Sequence, residues 1–315
     1  MEVTRLAPSP TGALHLGNAR TFMVNWALAR QHGWKIVLRI EDLDGPRVKK
    51  DADRQAIEDL RWLGIDWDEG PVYQSPRMET YARAAAELLG AGLAYPCICS
   101  RREALLAASA PHAEDGAAVY PGTCRGRFAS VSDAARVAGR PPALRFVVTE
   151  EHVEFEDALA GRLVFNPARD LGDFVILKAD GTAAYQLAVV VDDARMGVTR
   201  VIRGDDLIES TPRQILLYRA LGLERSIPRY CHLPLIVGPD GRRLAKRHGD
   251  TRLAYYRQLG VPASRVLALL GRWCGMELDP RRAAAGDFAR QLDMARFPRQ
   301  RIVFTEDDDR WLKGV

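Results

Sequence analysis

Apolar residues over the first 90 positions alternate between short continuous runs and longer stretches with helical spacing. The run before Pro8 and the run from Lys35 to Ile40 predict strands, since each is short, apolar and followed by turn residues. Between these runs, apolar side chains recur every three or four positions, which predicts a helix that begins near Gly17. This alternation is typical of βαβ units around a buried parallel sheet.

The same alternation returns after residue 184. The segments "AAYQLAVVVDD" and "VTRVIRGDDLI" have the composition of buried strands, and "TPRQILLYRALG" predicts an amphipathic helix. The stretch between them and the first 90 residues is rich in Ala, Gly and Pro and holds two strand-like runs, "ALRFVV" and "HVEFEDAL". We therefore predict a divided chain: a first half of a sheet domain (1–90), an insertion (91–184), a second half (185–240) and a helical module (241–315).

Composition limits the class of protein. The chain has 315 residues, of which 47% are hydrophobic, enough for a sizeable core and two or three domains. No apolar run approaches the roughly 20 residues that span a bilayer, and the N-terminus lacks the layout of a signal peptide, so we expect a cytoplasmic monomer with no membrane partner. A net charge of +4 permits a polyanionic partner without requiring one.

The loop "RLAPSPTGALHLGN", residues 5 to 18, has the composition of a ligand-binding turn. Pro8 and Pro10 stiffen it, and Gly12 and Gly17 allow close approach of a ligand to the backbone. The helix that follows is expected to offer unpaired N–H groups to a phosphate, and His15 can donate a further hydrogen bond. The alternative is a proline-rich turn capped by a histidine. The sequence contains neither a G-x-G-x-x-G fingerprint after the first strand nor a P-loop.

Two segments of the chain resemble the signatures of class I aminoacyl-tRNA synthetases. "PSPTGALHLGN" resembles the first signature, HIGH, in the H-x-G-N form of the glutamyl and glutaminyl enzymes. "RRLAK" followed by Arg247 resembles the second, KMSKS, with "RGDDL" upstream. "RIEDLD" and "AYQLAVVVDD" extend the match over most of residues 5 to 250, to the glutamate branch. The resemblance implies an α/β fold: a Rossmann-like parallel-sheet catalytic domain, an inserted α+β subdomain with zinc and a short C-terminal helical module.

The resemblance also implies a reaction, in which a carboxylate of L-glutamate attacks the α-phosphate of ATP to give glutamyl-adenylate and pyrophosphate. His15 and Lys246 are the implied catalytic residues. The implied ATP contacts are His15, Gly17, Asn18 and Lys246, with Mg²⁺ on the triphosphate, and the implied glutamate contacts are Arg5, Ala7, Ser9, Glu41, Tyr185 and Arg203. Arginines suit the carboxylates of the substrate, and a carboxylate suits its ammonium group. Taken singly, these residues also fit surface ion pairs, a solvated turn and a core aromatic.

The second signature departs from the family pattern at two positions. Arg243 replaces its first lysine, which keeps the charge and changes its geometry, and Ala245 replaces a serine, which removes a hydroxyl. Lys246 therefore carries more of the expected phosphate contact, and turnover is expected to be slower. These departures also leave open a catalytically idle tRNA-binding paralogue.

Three of the five cysteines, Cys97, Cys99 and Cys124, lie in two short segments, "YPCICSRRE" and "YPGTCRGR". Three thiolates and one oxygen or nitrogen make a tetrahedral structural zinc site. Resemblance to glutamyl-type enzymes implies one zinc ion per chain with Tyr120 as the fourth ligand, whereas His112 is the chemically more ordinary candidate. Three reduced, buried cysteines without a metal remain the alternative.

Only 68 residues follow Arg247, too few for both a small helical module and an anticodon-reading domain. The resemblance therefore narrows to the shortened family of glutamyl-queuosine tRNA(Asp) synthetases. It implies transfer of the activated glutamate to queuosine at the wobble position of tRNA(Asp). A minimal glutamyl-tRNA synthetase that charges the tRNA 3′ end is the alternative.

Overall fold

A computed structural model describes residues 1–100, 102–103, 119–242, 244 and 249–314. Its strands are β1 Val3–Leu6, β2 Lys35–Ile40, β3 Glu69–Tyr73, β4 Ala94–Cys97, β5 Ala143–Phe146, β6 Val153–Asp157, β7 Gly161–Phe165, β8 Phe174–Leu177, β9 Arg200–Gly204, β10 Arg229–Leu233, β11 Ile236–Val237 and β12 Ile302–Val303. Its α-helices are α1 Leu16–His32, α2 Ala52–Trp62, α3 Met78–Gly90, α4 Val131–Ala138, α5 Pro167–Asp170, α6 Tyr185–Arg195, α7 Ser210–Ala220, α8 Leu253–Gln258, α9 Ala263–Arg272, α10 Ala285–Gln291 and α11 Glu306–Lys313.

The central sheet has the strand order β3-β2-β1-β9-β10-β6-β7, and all its pairs are parallel except β6 with β7. This arrangement confirms the predicted α/β class. β1 lies between β2 and β9, although β9 begins almost 200 residues further along the chain. The carboxyl ends of these parallel strands meet at one edge, where open α/β sheets bind their ligands.

Helices cover both faces of this sheet because successive strand residues point to opposite sides. In β2, Val37 packs into a core with α3, α6 and α7, whereas Leu38 packs into a second core with α1 and the C-terminal helices. The residues of β2 from Ile36 to Ile40 are all buried, which explains its continuous apolar run. Among the described residues, no helix is long and apolar enough to cross a membrane.

The stretch from 91 to 184 contributes to two sheets. β4, β5 and β8 form a separate antiparallel sheet, as expected of an insertion. β6 instead joins the central sheet beside β10, where Tyr230 lies opposite Asp157. Part of the chain that we predicted as an insertion thus extends the central sheet, and the division of the chain into domains stays a prediction.

One predicted strand is wrong. "AAYQLAVVVDD" forms the helix α6, which packs between α3 and α7. Every residue from Leu187 to Asp193 is buried, so this part of the helix has no solvent-exposed face. Its three consecutive valines resemble the apolar run of a buried strand. A short apolar run without periodicity does not distinguish a buried strand from a buried helix. The strand predicted in "VTRVIRGDDLI" is confirmed as β9.

Candidate active site

A pocket of about 590 Å³ opens at the carboxyl edge of the central sheet. Its wall contains nine residues predicted from the sequence: Arg5, Ala7, Ser9, His15, Gly17, Asn18, Glu41, Tyr185 and Arg203. The tenth, Lys246, lies outside the described residues, as do Arg243 and Ala245. A larger cavity of about 790 Å³, lined by residues 239–240, residues 249–251 and α11, contains none of the nine. The first pocket is therefore the candidate site.

His15 caps the N-terminus of α1. Its Nδ1 atom accepts hydrogen bonds from the backbone N–H groups of Gly17 at 3.1 Å and Asn18 at 3.3 Å. The Asn18 side chain accepts from the His15 backbone N–H at 3.4 Å, which completes a capping box. Since Nδ1 accepts, the proton of the neutral imidazole resides on Nε2, which makes Nε2 a donor.

This cap changes how α1 can bind a phosphate. Besides the two groups held by His15, the Leu16 N–H donates to the Thr251 carbonyl and the Ala19 N–H to the His15 carbonyl, both at 3.0 Å. The prediction that this helix offers unpaired N–H groups is therefore wrong. The His15 side chain accepts from two of the four, a returning segment of the chain accepts from the third, and the fourth makes the first backbone hydrogen bond of the helix. The imidazole remains as the donor at the mouth of the helix.

Gly17 makes room for the histidine ring. A Cβ atom at this position would lie 3.1 Å from both Nδ1 and Cε1 of His15 and 3.6 Å from Cβ of Ile236. The first of these contacts is closer than a carbon normally approaches a ring atom. A side chain at this position would therefore push the capping imidazole out of its place by a few tenths of an ångström.

The segment that follows the second signature hydrogen-bonds to the first signature. The Leu253 N–H donates to the Leu14 carbonyl at 2.9 Å, and His15 and Arg252 form an isolated antiparallel bridge. Together with the bond from Leu16 to Thr251, these contacts join two parts of the chain that are far apart in sequence. The flank of the KMSKS-like segment therefore lies at the pocket mouth.

A buried ion-pair network joins two residues of the pocket wall, Arg5 and Glu41, to two residues outside the lining, Arg39 and Asp193. Asp193 on α6 accepts from Arg39 of β2 at 2.6 Å and from Arg5 of β1 at 3.4 Å. Arg39 also donates to Glu41 at 3.0 Å, which fixes that carboxylate just beyond the end of β2. Burial favours a higher pKa for Asp193, but Arg39 and Arg5 outweigh it and hold the pKa below its usual range. At Glu41, burial prevails over the same two arginines and raises the pKa.

Arg203 on β9 forms the opposite wall and is only 5% exposed. Its guanidinium donates to four neutral acceptors, the side chains of His232, Gln214 and Thr211 and the carbonyl of Leu207, at 2.8 to 3.3 Å. Among the described residues it makes no ion pair. The pocket lining holds three arginines, Arg5, Arg47 and Arg203, and three carboxylates, Glu41, Asp44 and Asp206. A buried guanidinium that no carboxylate contacts favours an anionic group of a ligand at Arg203.

Sequence reasoning missed Arg39, Asp193 and His232. All three are charged or polar residues within otherwise apolar runs, "KIVLRI", "LAVVVDD" and "YCHLPLI". A buried charge must be paired, so an arginine in a strand predicted to be buried is itself an indication of a partner nearby. The sequence does not indicate which partner, because the pairs join distant elements.

The three predicted cysteines form a compact cluster. The Sγ atoms of Cys97, Cys99 and Cys124 all lie within 4.8 Å of one another. The Tyr120 hydroxyl oxygen lies 3.5 Å from Sγ of Cys97 and 3.4 Å from Sγ of Cys99. A tetrahedral ion with metal–sulfur bonds of about 2.3 Å requires sulfur atoms about 3.8 Å apart, so these donors can hold a metal ion. The competing candidate, His112, lies outside the described residues.

Arg145 on β5 supports this cluster and was not predicted. Its Nε donates to Sγ of Cys97 at 3.2 Å, and its guanidinium carbon lies 3.8 Å from the centre of the Tyr120 ring. A cation in this position offsets the negative charge that three thiolates accumulate around a metal ion.

The fold and the pocket define a catalytic domain of the class I aminoacyl-tRNA synthetase type. Residues 2–296 match the family described as "tRNA synthetases class I (E and Q), catalytic domain", and the chain belongs to this family. It is 49% identical over 308 residues to a glutamyl-Q tRNA(Asp) synthetase of Symbiobacterium thermophilum, which covers 95% of this chain and 94% of that protein. It is 41% identical over 311 residues to a glutamate–tRNA ligase of Citrifermentans bemidjiense, which covers 98% of this chain and 65% of that one.

The fold agrees with solved structures. The crystal structure of a glutamate-tRNA synthetase from Elizabethkingia anophelis superimposes with a TM-score of 0.82 at 25% identity, over 99% of this chain and 69% of that one. The predicted fold class, a class I synthetase catalytic domain, is thereby confirmed.

Proposed function

We propose that this protein activates L-glutamate with ATP and transfers the glutamate to queuosine at the wobble position of tRNA(Asp). The observation that carries the proposal is the single pocket that contains all nine described residues of the predicted site. Two buried arginines, Arg5 and Arg203, and one carboxylate, Glu41, in the same pocket suit an amino acid with two carboxylates and one ammonium group. The similarity to a protein named glutamyl-Q tRNA(Asp) synthetase supports the RNA substrate. The reaction belongs in the cytoplasm, where ATP and tRNA are supplied.

In this proposal Arg203 and Arg5 bind the carboxylates of glutamate, and Glu41 binds its ammonium group. Tyr185, at the start of α6 and 37% exposed, directs its hydroxyl to the substrate, and Ala7 and Ser9 complete the wall. One carboxylate oxygen then forms a bond to the α-phosphorus of ATP while the bond to the bridging oxygen of pyrophosphate breaks.

ATP is proposed to bind over the first signature. Nε2 of His15 donates to a phosphate oxygen, and Asn18 and Gly17 keep the imidazole in position as its capping partners. Lys246 supplies a positive charge to the phosphates. Charge stabilisation and alignment, rather than covalent chemistry by the protein, account for the rate. Mg²⁺ bound with ATP neutralises part of the triphosphate charge.

The cysteine cluster is proposed to hold one structural zinc ion. Cys97, Cys99, Cys124 and Tyr120 provide three sulfur atoms and one oxygen at spacings suited to a tetrahedral ion. None of the four lines the candidate active site, so the ion has no part in the transfer chemistry.

A second candidate, a minimal glutamyl-tRNA synthetase, is favoured by the 41% identity to glutamate–tRNA ligases. It shares the adenylate step and differs in the RNA product, which is then an ester at the tRNA 3′ end. The third possibility, an idle tRNA-binding paralogue, predicts no adenylate at all.

One experiment separates these candidates. The protein is incubated with ATP, radiolabelled glutamate and tRNA(Asp) that either carries or lacks queuosine, and nuclease digestion then locates the label. We expect label in the anticodon loop of the queuosine-containing tRNA only. We also expect glutamate-dependent exchange between ATP and pyrophosphate without tRNA. Label on the 3′ terminal nucleotide would favour the second candidate, and failure of the exchange reaction would favour the third.

A further inference from the structure

A buried histidine and aspartate lie behind Arg203, and no step of the proposed reaction uses them. His232 on β10 accepts from Nε of Arg203 through its Nε2 atom at 3.0 Å. On the far side of the ring, Nδ1 lies 2.7 Å from Oδ2 of Asp157, at the end of β6. Both side chains are completely buried. The three residues therefore form a line that begins within the central sheet and ends at the pocket wall.

The proton positions along this line follow from the arginine. A guanidinium only donates, so Nε2 of His232 must be unprotonated, and the proton of the neutral ring then lies on Nδ1 and points to Asp157. The Thr211 hydroxyl lies 3.3 Å from the same Nε2 and serves as a second donor. A doubly protonated His232 would turn an N–H toward the N–H of Arg203.

The surroundings of Asp157 favour its charged form. It accepts hydrogen bonds from the backbone N–H groups of Leu159 at 3.0 Å, Ala160 at 2.8 Å and His232 at 3.0 Å. Burial opposes the charged form, but these bonds and the imidazole outweigh it and lower the pKa of Asp157. At His232, burial lowers the pKa despite the adjacent carboxylate, which agrees with a neutral ring.

The intervening ring keeps the carboxylate from neutralising Arg203 directly. Arg5 shows the contrast, since Asp193 contacts its guanidinium and compensates its charge. Four of the five N–H groups of Arg203 donate hydrogen bonds to neutral acceptors. The fifth, an N–H group on Nη1, has no partner among the described residues. The guanidinium is thus held in a fixed orientation while its charge is left for a ligand.

We propose that Asp157 and His232 are positioning residues that orient Arg203 toward a carboxylate of the amino-acid substrate. This inference rests on the proposed function, because it assumes that Arg203 binds glutamate. It assigns a role in substrate binding to β6, a strand from the part of the chain predicted as an insertion. The pair acts on the binding of the amino acid and leaves the binding of ATP unchanged.

The test measures the KM for glutamate and for ATP in ATP–pyrophosphate exchange. In Asp157→Asn the amide can donate to Nδ1, which moves the ring proton to Nε2, opposite the Arg203 N–H. We expect the KM for glutamate to rise by about 10-fold or more, since bonds to charged groups are the strong ones. The KM for ATP should stay within about twofold of the wild-type value.

Two variants of His232 give a graded comparison. The side-chain oxygen of His232→Gln can replace Nε2 as an acceptor, whereas His232→Leu offers none, so the KM for glutamate should rise less in the former. Asp59→Asn is the matched control: Asp59 is a buried carboxylate paired with Arg257 at 2.9 Å and does not line the pocket. It should leave both KM values unchanged.

Equal rises in the two KM values, or glutamate KM values within about twofold of wild type in Asp157→Asn and His232→Leu, would overturn the inference. Should a thermal melt show that Asp157→Asn does not fold, the order of the two His232 variants decides the question. A wild-type protein without glutamate-dependent exchange would overturn the proposed function and this inference with it. An active wild type with unaffected variants would overturn this inference alone.

Discussion

The candidate active site and the cysteine cluster both bring polar side chains together in buried surroundings. They differ in how far apart their residues lie along the sequence. The cluster takes all its donors from residues 97 to 124, in one small part of the fold. The pocket takes Arg5 and its partner Asp193 from positions 188 residues apart, on different elements of the central sheet domain. The cluster is therefore a local unit, whereas the pocket exists only when the whole sheet has assembled. Damage to one should be separable from damage to the other.

The largest expected effect is a loss of protein stability when the cysteine cluster is damaged. Cys99→Ala removes one of the sulfur donors, and we expect the bound zinc to be lost and the free energy of unfolding to fall by about 4 kcal/mol or more. The KM for glutamate should change by less than about twofold, because no cluster residue lines the pocket. Metal analysis, a denaturant titration and the exchange assay measure the three quantities.

Cys274→Ala is the matched control for that variant. Cys274 is also a free cysteine, although more deeply buried than Cys99, and it lies just after the end of α9, away from the cluster. It should keep a full complement of zinc. Protein that contains no zinc before any mutation would remove the basis of the comparison, and a large rise in the glutamate KM of Cys99→Ala would show that the two regions are coupled.

An intermediate effect is expected on activity at the pocket with little change in stability. Gly17→Ala places a carbon 3.1 Å from the His15 ring and should displace the imidazole. We expect kcat for the exchange reaction to fall by about 10-fold, since small misplacements of a catalytic group are costly. The free energy of unfolding should change by less than about 1 kcal/mol, because the loss of the imidazole cap is partly offset by the greater helix preference of alanine.

Gly12→Ala is the control for this change, since it lies in the same loop and a Cβ atom there meets nothing within 4 Å. It should retain wild-type activity. Equal losses of activity in the two variants would mean that the loop responds to any added side chain, and that the contact with His15 has no special importance.

The smallest expected effect is a pH dependence of stability. Burial lowers the pKa of His232, Arg203 adds to this effect and Asp157 opposes it, so the unfolded chain binds a proton before the folded chain does. Stability from this group is present above the unfolded pKa of about 6.5 and is lost progressively as the pH falls from there to the lowered pKa of the folded chain. Denaturant titrations of wild type and His232→Gln should show a smaller acid loss in the variant. The other histidines are common to both proteins, and identical pH profiles would refute the assignment.

The same difference between local and distant partners explains what the sequence could predict. The cysteine cluster follows from residue types at close spacing, and its three sulfur atoms do come together. The pocket residues Arg5, Glu41, Tyr185 and Arg203 were reached through resemblance to a family, and all four line one pocket. Their roles in the reaction stay predictions.

The partners of these residues could not be predicted. Arg39, Asp193 and His232 lie in mostly apolar runs, and Asp157 lies in the strand-like run "HVEFEDAL". Their pairing depends on strand order, which periodicity does not reveal. The prediction of a strand at α6 is wrong for a related reason: burial on all sides of this helix removes the periodic pattern that distinguishes a helix from a strand. Capping of α1 by His15 was considered only as an alternative to ligand binding, although the geometry combines it with a pocket position.

The hydrogen bond from the Leu16 N–H to the Thr251 carbonyl joins the two ends of the long chain segment that lies between these residues. The entropy lost in closing a long flexible loop grows only with the logarithm of its length, so doubling an inserted segment costs about 0.6 kcal/mol. Lengthening an inserted segment between these two ends therefore adds little to the cost of the bond that joins them, so the geometry at the pocket mouth can stay the same while insertions change in length.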